Sequence, residues 1–154
     1  LRPDGQDNIS FLFAANKNGQ PTDIGKVASG GEMSRVMLSI KSLLSRSKSL
    51  PSIIFDEIDT GVSGDVADKM GRIMYEMSTH MQVLAITHLP QVAARGLQHY
   101  RVYKEDTEDK TVSHIKLLTK AERVDEIAKM LSGSHVTEAA LANAKELLKT
   151  ASMA

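Results

Sequence analysis

Three clusters of residues in this 154-residue chain have types and spacing suited to chemistry. The first is Asp56-Glu57, directly after the apolar run Ile53-Ile54-Phe55. A short apolar run bounded by turn signals predicts a strand buried on both faces, the usual situation in a parallel sheet. Two adjacent carboxylates at the end of such a strand are costly to bury unless something binds them. In open α/β sheets ligands sit at the carboxyl ends of the strands. The pair therefore offers a metal-ligating carboxylate, Asp56, and a general base, Glu57. A strand that simply ends at a polar turn is the plainer alternative for this stretch alone.

The second cluster is Ser29-Gly30-Gly31-Glu32. Val36, Ile40, Leu43 and Leu44 follow at helical spacing, which predicts a helix from about Ser29 to Ser47. Ser29 with Glu32 three residues on fits a capping box, a purely structural role. That role does not account for the two glycines, each costing about 1 kcal/mol in a helix relative to Ala. Glycines let another group approach the backbone closely. A helix start with free N–H groups, a serine hydroxyl and no side chains in the way suits a phosphate. The third cluster is a single residue, His88, after the apolar stretch Gln82 to Thr87. A lone histidine is usually structural. Here a helix over about 65–79 separates two predicted strands, and such a unit implies a parallel, right-handed crossover. His88 then lies at the same sheet edge as Asp56 and Glu57.

The remaining elements frame these clusters. Residues 1–8 read as a loose lead-in, residues 9–15 as a strand and residues 16–24 as a loop. Val66, Met70, Ile73, Met74 and Met77 mark the inner face of the 65–79 helix, where methionine is core filling. Residues 91–97 read as a short helix or turn. Strands over 99–104 and 111–118 flank a charged tip, 105–110, whose acidic spacing matches no calcium loop. Thr119 and Glu122 form a second capping box before a helix with Val124, Ile127, Ala128 and Leu131 on one face. A last helix over about 137–149 has Ala140, Ala144 and Leu147 on one face. His80, His99, His114 and His135 have no metal-site spacing and read as surface or structural.

Composition narrows the function classes. The chain has no Cys, which removes disulfide scaffolds and thiolate metal sites and suits a reducing cytosol. No apolar run approaches a membrane span, so no membrane partner is expected. Lys plus Arg and Asp plus Glu number 19 each, so the surface lacks the overall positive charge typical of DNA-holding domains. The first residue is Leu1 rather than Met, which reads as part of a longer protein.

The order of these motifs resembles the C-terminal lobe of an ABC-type ATPase head. The strings Val27 to Arg35 (VASGGEMSR), Phe55 to Gly64 (FDEIDTGVSG) and Thr87 to Ala94 (THLPQVAA) are most similar to the SMC-like branch, in particular the RecN family of bacterial DNA-repair proteins. The resemblance covers nearly all of residues 1–154. It implies an α/β fold, a mainly parallel sheet flanked by helices, with a β-hairpin and C-terminal helices. It implies ATP and Mg2+ as cofactors. Ser29, Gly30, Gly31 and Glu32 would meet the γ-phosphate of ATP held by a partner head. Asp56 would hold Mg2+ through water, Glu57 would polarise the attacking water, and His88 would contact the γ-phosphate. Asp59, Thr60, Gly61, Val62, Ser63 and Gly64 would form the loop at the head–head interface. The pattern departs in two places: Val62-Ser63 stands where Leu-Asp is frequent, and Ala28 where many signatures carry Leu.

The string Gly-x-x-x-x-Gly-Lys-Ser/Thr is absent. The partners that the resemblance implies are an N-terminal P-loop lobe of the same protein, a second copy joined through ATP-sandwiched heads, and DNA met by the full-length protein. This chain alone is expected to hydrolyse ATP negligibly, in a cytoplasmic, nucleoid-associated setting. A transporter-type nucleotide-binding subunit is one rival, disfavoured by Glu32 and Ile58-Asp59; a non-hydrolysing interaction module is another, disfavoured by the intact Asp56, Glu57 and His88.

Overall fold

The computed structural model describes residues 3, 5, 9–14, 17–27, 29–47 and 50–152. Most of the lead-in, Ala15 and Ala28 lie outside the described residues. The chain begins with two short antiparallel strands, β1 (Leu12–Phe13) and β2 (Thr22–Asp23), and a single helical turn, α1 (Ile24–Val27). The strand expected over 9–15 is thus only two residues long among the described residues, and its partner lies inside the segment expected to be loop.

The helix α2 (Gly30–Ser47) leads to β3 (Ser52–Asp56), α3 (Gly64–Ser78) and β4 (Gln82–Ile86). Strands β3 and β4 pair in parallel, from Ser52 opposite Gln82 to Asp56 opposite Ile86. The short helix α4 (Pro90–Arg95) follows, with proline at its start, where the missing N–H has no intrahelical partner to lose. An antiparallel hairpin, β5 (Tyr100–Asp106) and β6 (Thr111–Leu117), precedes α5 (Lys120–Ser132) and α6 (Glu138–Ser152). Parallel pairing among the described residues is confined to β3–β4.

Two apolar clusters hold these elements. In the first, Ala67, Met70, Met74 and Met77 of α3 meet Leu38 of α2, Phe55 of β3, Val62, Met81 and Val92. The flexible thioethers fill this space without aromatic bulk. Each fully buried side chain of this size stabilises the fold by roughly 1.5–3 kcal/mol. The inner face of α3 is turned slightly from the expected one: Ala67 is buried and Val66 is exposed. On α2 the buried positions are Leu38 and Ser45, while Leu43 and Leu44 face outward. The second cluster joins Ala94 of α4, Ile127 and Ala128 of α5, and Ala140, Ala144 and Ala151 of α6. Alanine at these contacts lets the helices approach closely.

The expectation that β3 is buried on both faces is corrected. Ile53 and Phe55 point into the first cluster, whereas Ile54 is 64% exposed. Leu84 and Ile86 on β4 are 44% and 56% exposed. A strand alternates its side chains between two faces, and only one face of this sheet is covered by the described residues. Asp56, two residues beyond Ile54 and also exposed, shares its open face.

Candidate functional site

The site is assembled where β3 and β4 end. The β-pairing continues one residue past β3, because Glu57 N–H donates to the Ile86 carbonyl at 3.1 Å. Glu57 then turns sharply, with φ of 46°, a left-handed conformation that non-glycine residues rarely adopt. Strain of this kind costs roughly 1–3 kcal/mol and collects at functional positions. The Glu57 carbonyl accepts from Thr60 N–H at 3.3 Å and from Thr60 Oγ1 at 2.9 Å. Val62 N–H closes the next turn on the Asp59 carbonyl at 3.1 Å. Gly61 supplies the positive φ of 73° that the turn needs. The side chains of Asp56 and Glu57 are exposed and make no hydrogen bond or ion pair among the described residues. Both carboxylates are therefore open to a ligand.

Asp59 behaves differently from its neighbours. It is only 1% exposed, so this member of the expected interface loop points inward. Val62 is buried as well, while Thr60, Gly61, Ser63 and Gly64 are exposed. The Thr87 hydroxyl donates to Asp59 Oδ2 and accepts from Leu89 N–H at 2.9 Å. Asp59 Oδ1 lies 3.8 Å from His88 Nδ1. The His88 side chain itself is 63% exposed. The sequence marks Thr87 as the first residue of the Thr87–Ala94 string but gives it no role of its own.

The start of α2 is built as the capping box predicts. Glu32 N–H donates to Ser29 Oγ at 3.3 Å, and Glu32 Oε2 accepts from Ser29 N–H and Ser29 Oγ, both at 2.8 Å. The hydrogen bond from the Ser29 backbone, then that from its hydroxyl, hold the Glu32 carboxyl below its usual value. A Cβ on Gly31 would sit 3.3 Å from the Thr60 carbonyl oxygen, so α2 begins against the turn after Glu57. Among the described residues, no atom would lie within 4 Å of a Cβ on Gly30. The Ser29-Gly30-Gly31 backbone is thus beside the Asp59–Gly64 loop and open on its outer side.

Helix α4, which follows His88, is anchored by two arginines. Arg95 is buried and its Nη2 lies 2.7 Å from Asp68 Oδ1 on α3. The Arg95 hydrogen bond outweighs burial and holds the Asp68 carboxyl below its usual value. Arg123 Nη2 donates to the Ala94 and Gly96 carbonyls at 2.6 and 2.5 Å, satisfying the end of α4. Burial, then the neighbouring Arg123 charge, lower the pKa of His99 and favour its neutral form. Sequence reasoning missed both arginines. A cation in the first turn of α5, where the helix dipole disfavours it, was the signal for Arg123.

The residues fit the groups that the resemblance implies. Among the described residues no three His, Cys, Asp or Glu side chains cluster as a metal cage. Magnesium typically takes one or two carboxylates and completes its shell with waters and substrate phosphates. One exposed carboxylate, Asp56, at a strand end meets that requirement, and the open α2 start meets that of a phosphate.

No family model matches the chain. Curated relatives do. The chain is 44% identical to the DNA repair protein RecN of Haemophilus influenzae over 144 residues, covering 94% of the chain and 26% of the relative. It is 47% identical to RecN of Bacillus subtilis over 151 residues, covering 98% of the chain and 26% of the relative. The Rickettsia conorii RecN is 47% identical over 145 residues, with 94% and 27% covered. The chain thus spans about a quarter of the length of these relatives, within their C-terminal part. Among solved structures, one from a study of ATP-driven dimerization and DNA-stimulated activation of SMC ATPases superposes with a TM-score of 0.57 at 17% identity, covering 80% of this chain and 81% of that one. The SMC head domain from Thermotoga maritima gives 0.50 at 26% identity, covering 66% and 36%. The fold is that of an SMC head lobe, and over this segment the chain belongs to the RecN family of DNA repair proteins.

Proposed function

We propose that this chain is one half of a composite ATPase site in an SMC-like DNA-repair protein. The observation that carries the reading is the parallel register of β3 and β4. It sets Glu57 on Ile86, so that His88, two residues past β4, follows at the same sheet edge as Asp56 and Glu57. Asp56 would hold the Mg2+ of Mg-ATP, and that ion neutralises charge developing on the phosphates. Glu57, exposed and held in its left-handed turn, would orient the attacking water and take its proton. His88 would contact the γ-phosphate. Ser29, Gly30, Gly31 and Glu32 would present the α2 start to the γ-phosphate of a second head, with the exposed part of the 59–64 loop at the same junction.

The P-loop would come from the N-terminal part of the same protein. The open face that Asp56 shares with Ile54, Leu84 and Ile86 supports this, because a parallel sheet is normally covered on both sides. An apolar face of that kind is a contact surface. Binding of two ATP molecules would close a dimer of heads, and hydrolysis would reopen it. DNA would be met by the full-length protein in the cytoplasm, at the nucleoid. Among the described residues no helix is long and apolar enough to cross a membrane. The RecN relatives lend nothing to a transporter subunit.

The test is Glu57→Gln in the full-length protein. ATP is expected to hold that variant as a long-lived dimer, with phosphate release reduced at least 100-fold, within the range general-base catalysis supplies. Light scattering and a phosphate assay read the two effects. Normal turnover by the variant would remove Glu57 from the role of base.

A further inference from the structure

We propose that Asp59 is a positioning residue for His88, holding the ring with Nδ1 protonated toward Oδ1 so that Nε2 faces the outside of the loop. The inference rests on the reading of His88 as a phosphate-facing residue. Its geometric part stands on the carboxylate alone.

Asp59 is almost fully buried, yet among the described residues only one of its oxygens has a hydrogen-bond partner, the Thr87 hydroxyl. Oδ1 is buried with none. A buried carboxylate with one neutral donor is a poor arrangement, since burial penalises the charged form unless further donors face it. Thr87 would be served equally well by an amide. A group able to complete the shell is His88 Nδ1, 3.8 Å from Oδ1, on an exposed ring. No Lys or Arg forms an ion pair with Asp59 among the described residues.

Closing this gap to about 3 Å would make it a hydrogen bond. The bond made by one ring nitrogen decides which tautomer the imidazole adopts. A carboxylate partner on Nδ1 fixes the ring's direction as well, as it does for catalytic and metal-bound histidines. The backbone supports the arrangement from both sides. The Asp59 carbonyl is tied to Val62, and Thr87 Oγ1 is tied to Leu89 N–H. The 57–62 turn and the segment after β4 are thereby joined through one carboxylate. A displacement of the loop by a second head would reach His88 through Asp59.

Nitrogen-15 NMR of histidine-labelled chain reads the tautomer directly, without nucleotide. The unmodified chain is expected to show His88 chiefly as the Nδ1–H form. Asp59→Ala is expected to shift it toward the Nε2–H form, and Thr87→Val, which leaves the carboxylate, to preserve the Nδ1–H form. A His88 signal already in the Nε2–H form in the unmodified chain overturns the proposal, whether or not Asp59→Ala folds. In the full-length protein, Asp59→Ala and His88→Ala are each expected to lower phosphate release about 10- to 100-fold, with little further loss in the double variant. Fully multiplicative losses would overturn the positioning role. Absence of ATP turnover by the unmodified full-length protein would defeat the ATPase reading while the NMR result still decides the tautomer.

Discussion

Helices α2 and α5 begin with the same device and put it to different use. Ser29-Gly30-Gly31-Glu32 and Thr119-Lys120-Ala121-Glu122 are both capping boxes, with matching hydrogen bonds from the N3 backbone N–H at 3.3 Å in each. In α5 the intervening residues are good helix formers, and Glu122 also meets Lys116 of β6. That bond, with those of Thr119, holds the Glu122 carboxyl at about 2. In α2 the intervening residues are glycines, and the glutamate is held by Ser29 with Arg35 as a lesser influence. One start is built to secure a helix to a hairpin. The other gives up helix propensity to keep its backbone bare beside the Asp59–Gly64 loop. A shared local motif therefore fixes the local structure, and the residues inside it distinguish the copy that is proposed to meet phosphate.

Removing the two hydroxyls separates them most strongly. Ser29→Ala in the full-length protein is expected to lower ATP turnover about 10²–10³-fold, the loss typical of one preorganised donor at developing charge. Thr119→Ala is expected to leave turnover unchanged, measured in the same phosphate assay. On stability the two hydroxyls should be alike, each worth about 1 kcal/mol as a cap. For this chain that is a fall of about 2–4 °C in melting temperature by circular dichroism.

Gly30→Ala sharpens the contrast because its two effects have opposite sign. Among the described residues nothing stands near a Cβ at Gly30, so the substitution should stabilise α2 by about 0.5–1 kcal/mol. It should nevertheless reduce turnover, because the methyl would obstruct the phosphate of the second head. A rise in both melting temperature and turnover would show that the glycine has no ligand to accommodate.

The smallest effect is a pH dependence confined to α5. The folded value of Glu122 lies below its ordinary one, so the stability it adds is present above the ordinary carboxylate range. It is lost as pH falls toward about 2. Glu122→Gln is expected to flatten that part of an acid titration followed by circular dichroism, slightly, because the pair is at the surface.

Much of this was legible beforehand for a physical reason. Apolar runs, capping boxes and glycine breaks act locally, so β3, α3, β4, the hairpin and both capped helices fall within a few residues of expectation. The shared sheet edge of the carboxylate pair and His88 was legible because a short crossover leaves few ways to arrange two strands. What escaped was non-local. Periodicity misjudged the inner face of α2, since Leu43 and Leu44 are apolar yet face outward. It placed Ile54 inside a covered sheet, when that face is open among the described residues. Asp59 reads in sequence as one more polar loop residue, and only the fold turns it inward onto Thr87. Arg95 and Arg123 find partners 27 to 30 residues away, beyond any local pattern.

The central claim, that this chain supplies half of a composite ATPase site, is tested most directly by phosphate release. ATP would be given to this chain alone, and to this chain mixed with the separately prepared N-terminal part of the protein carrying the P-loop. The account predicts release only in the mixture, abolished by Glu57→Gln. Release by this chain alone, or release in the mixture that survives Glu57→Gln, would contradict it.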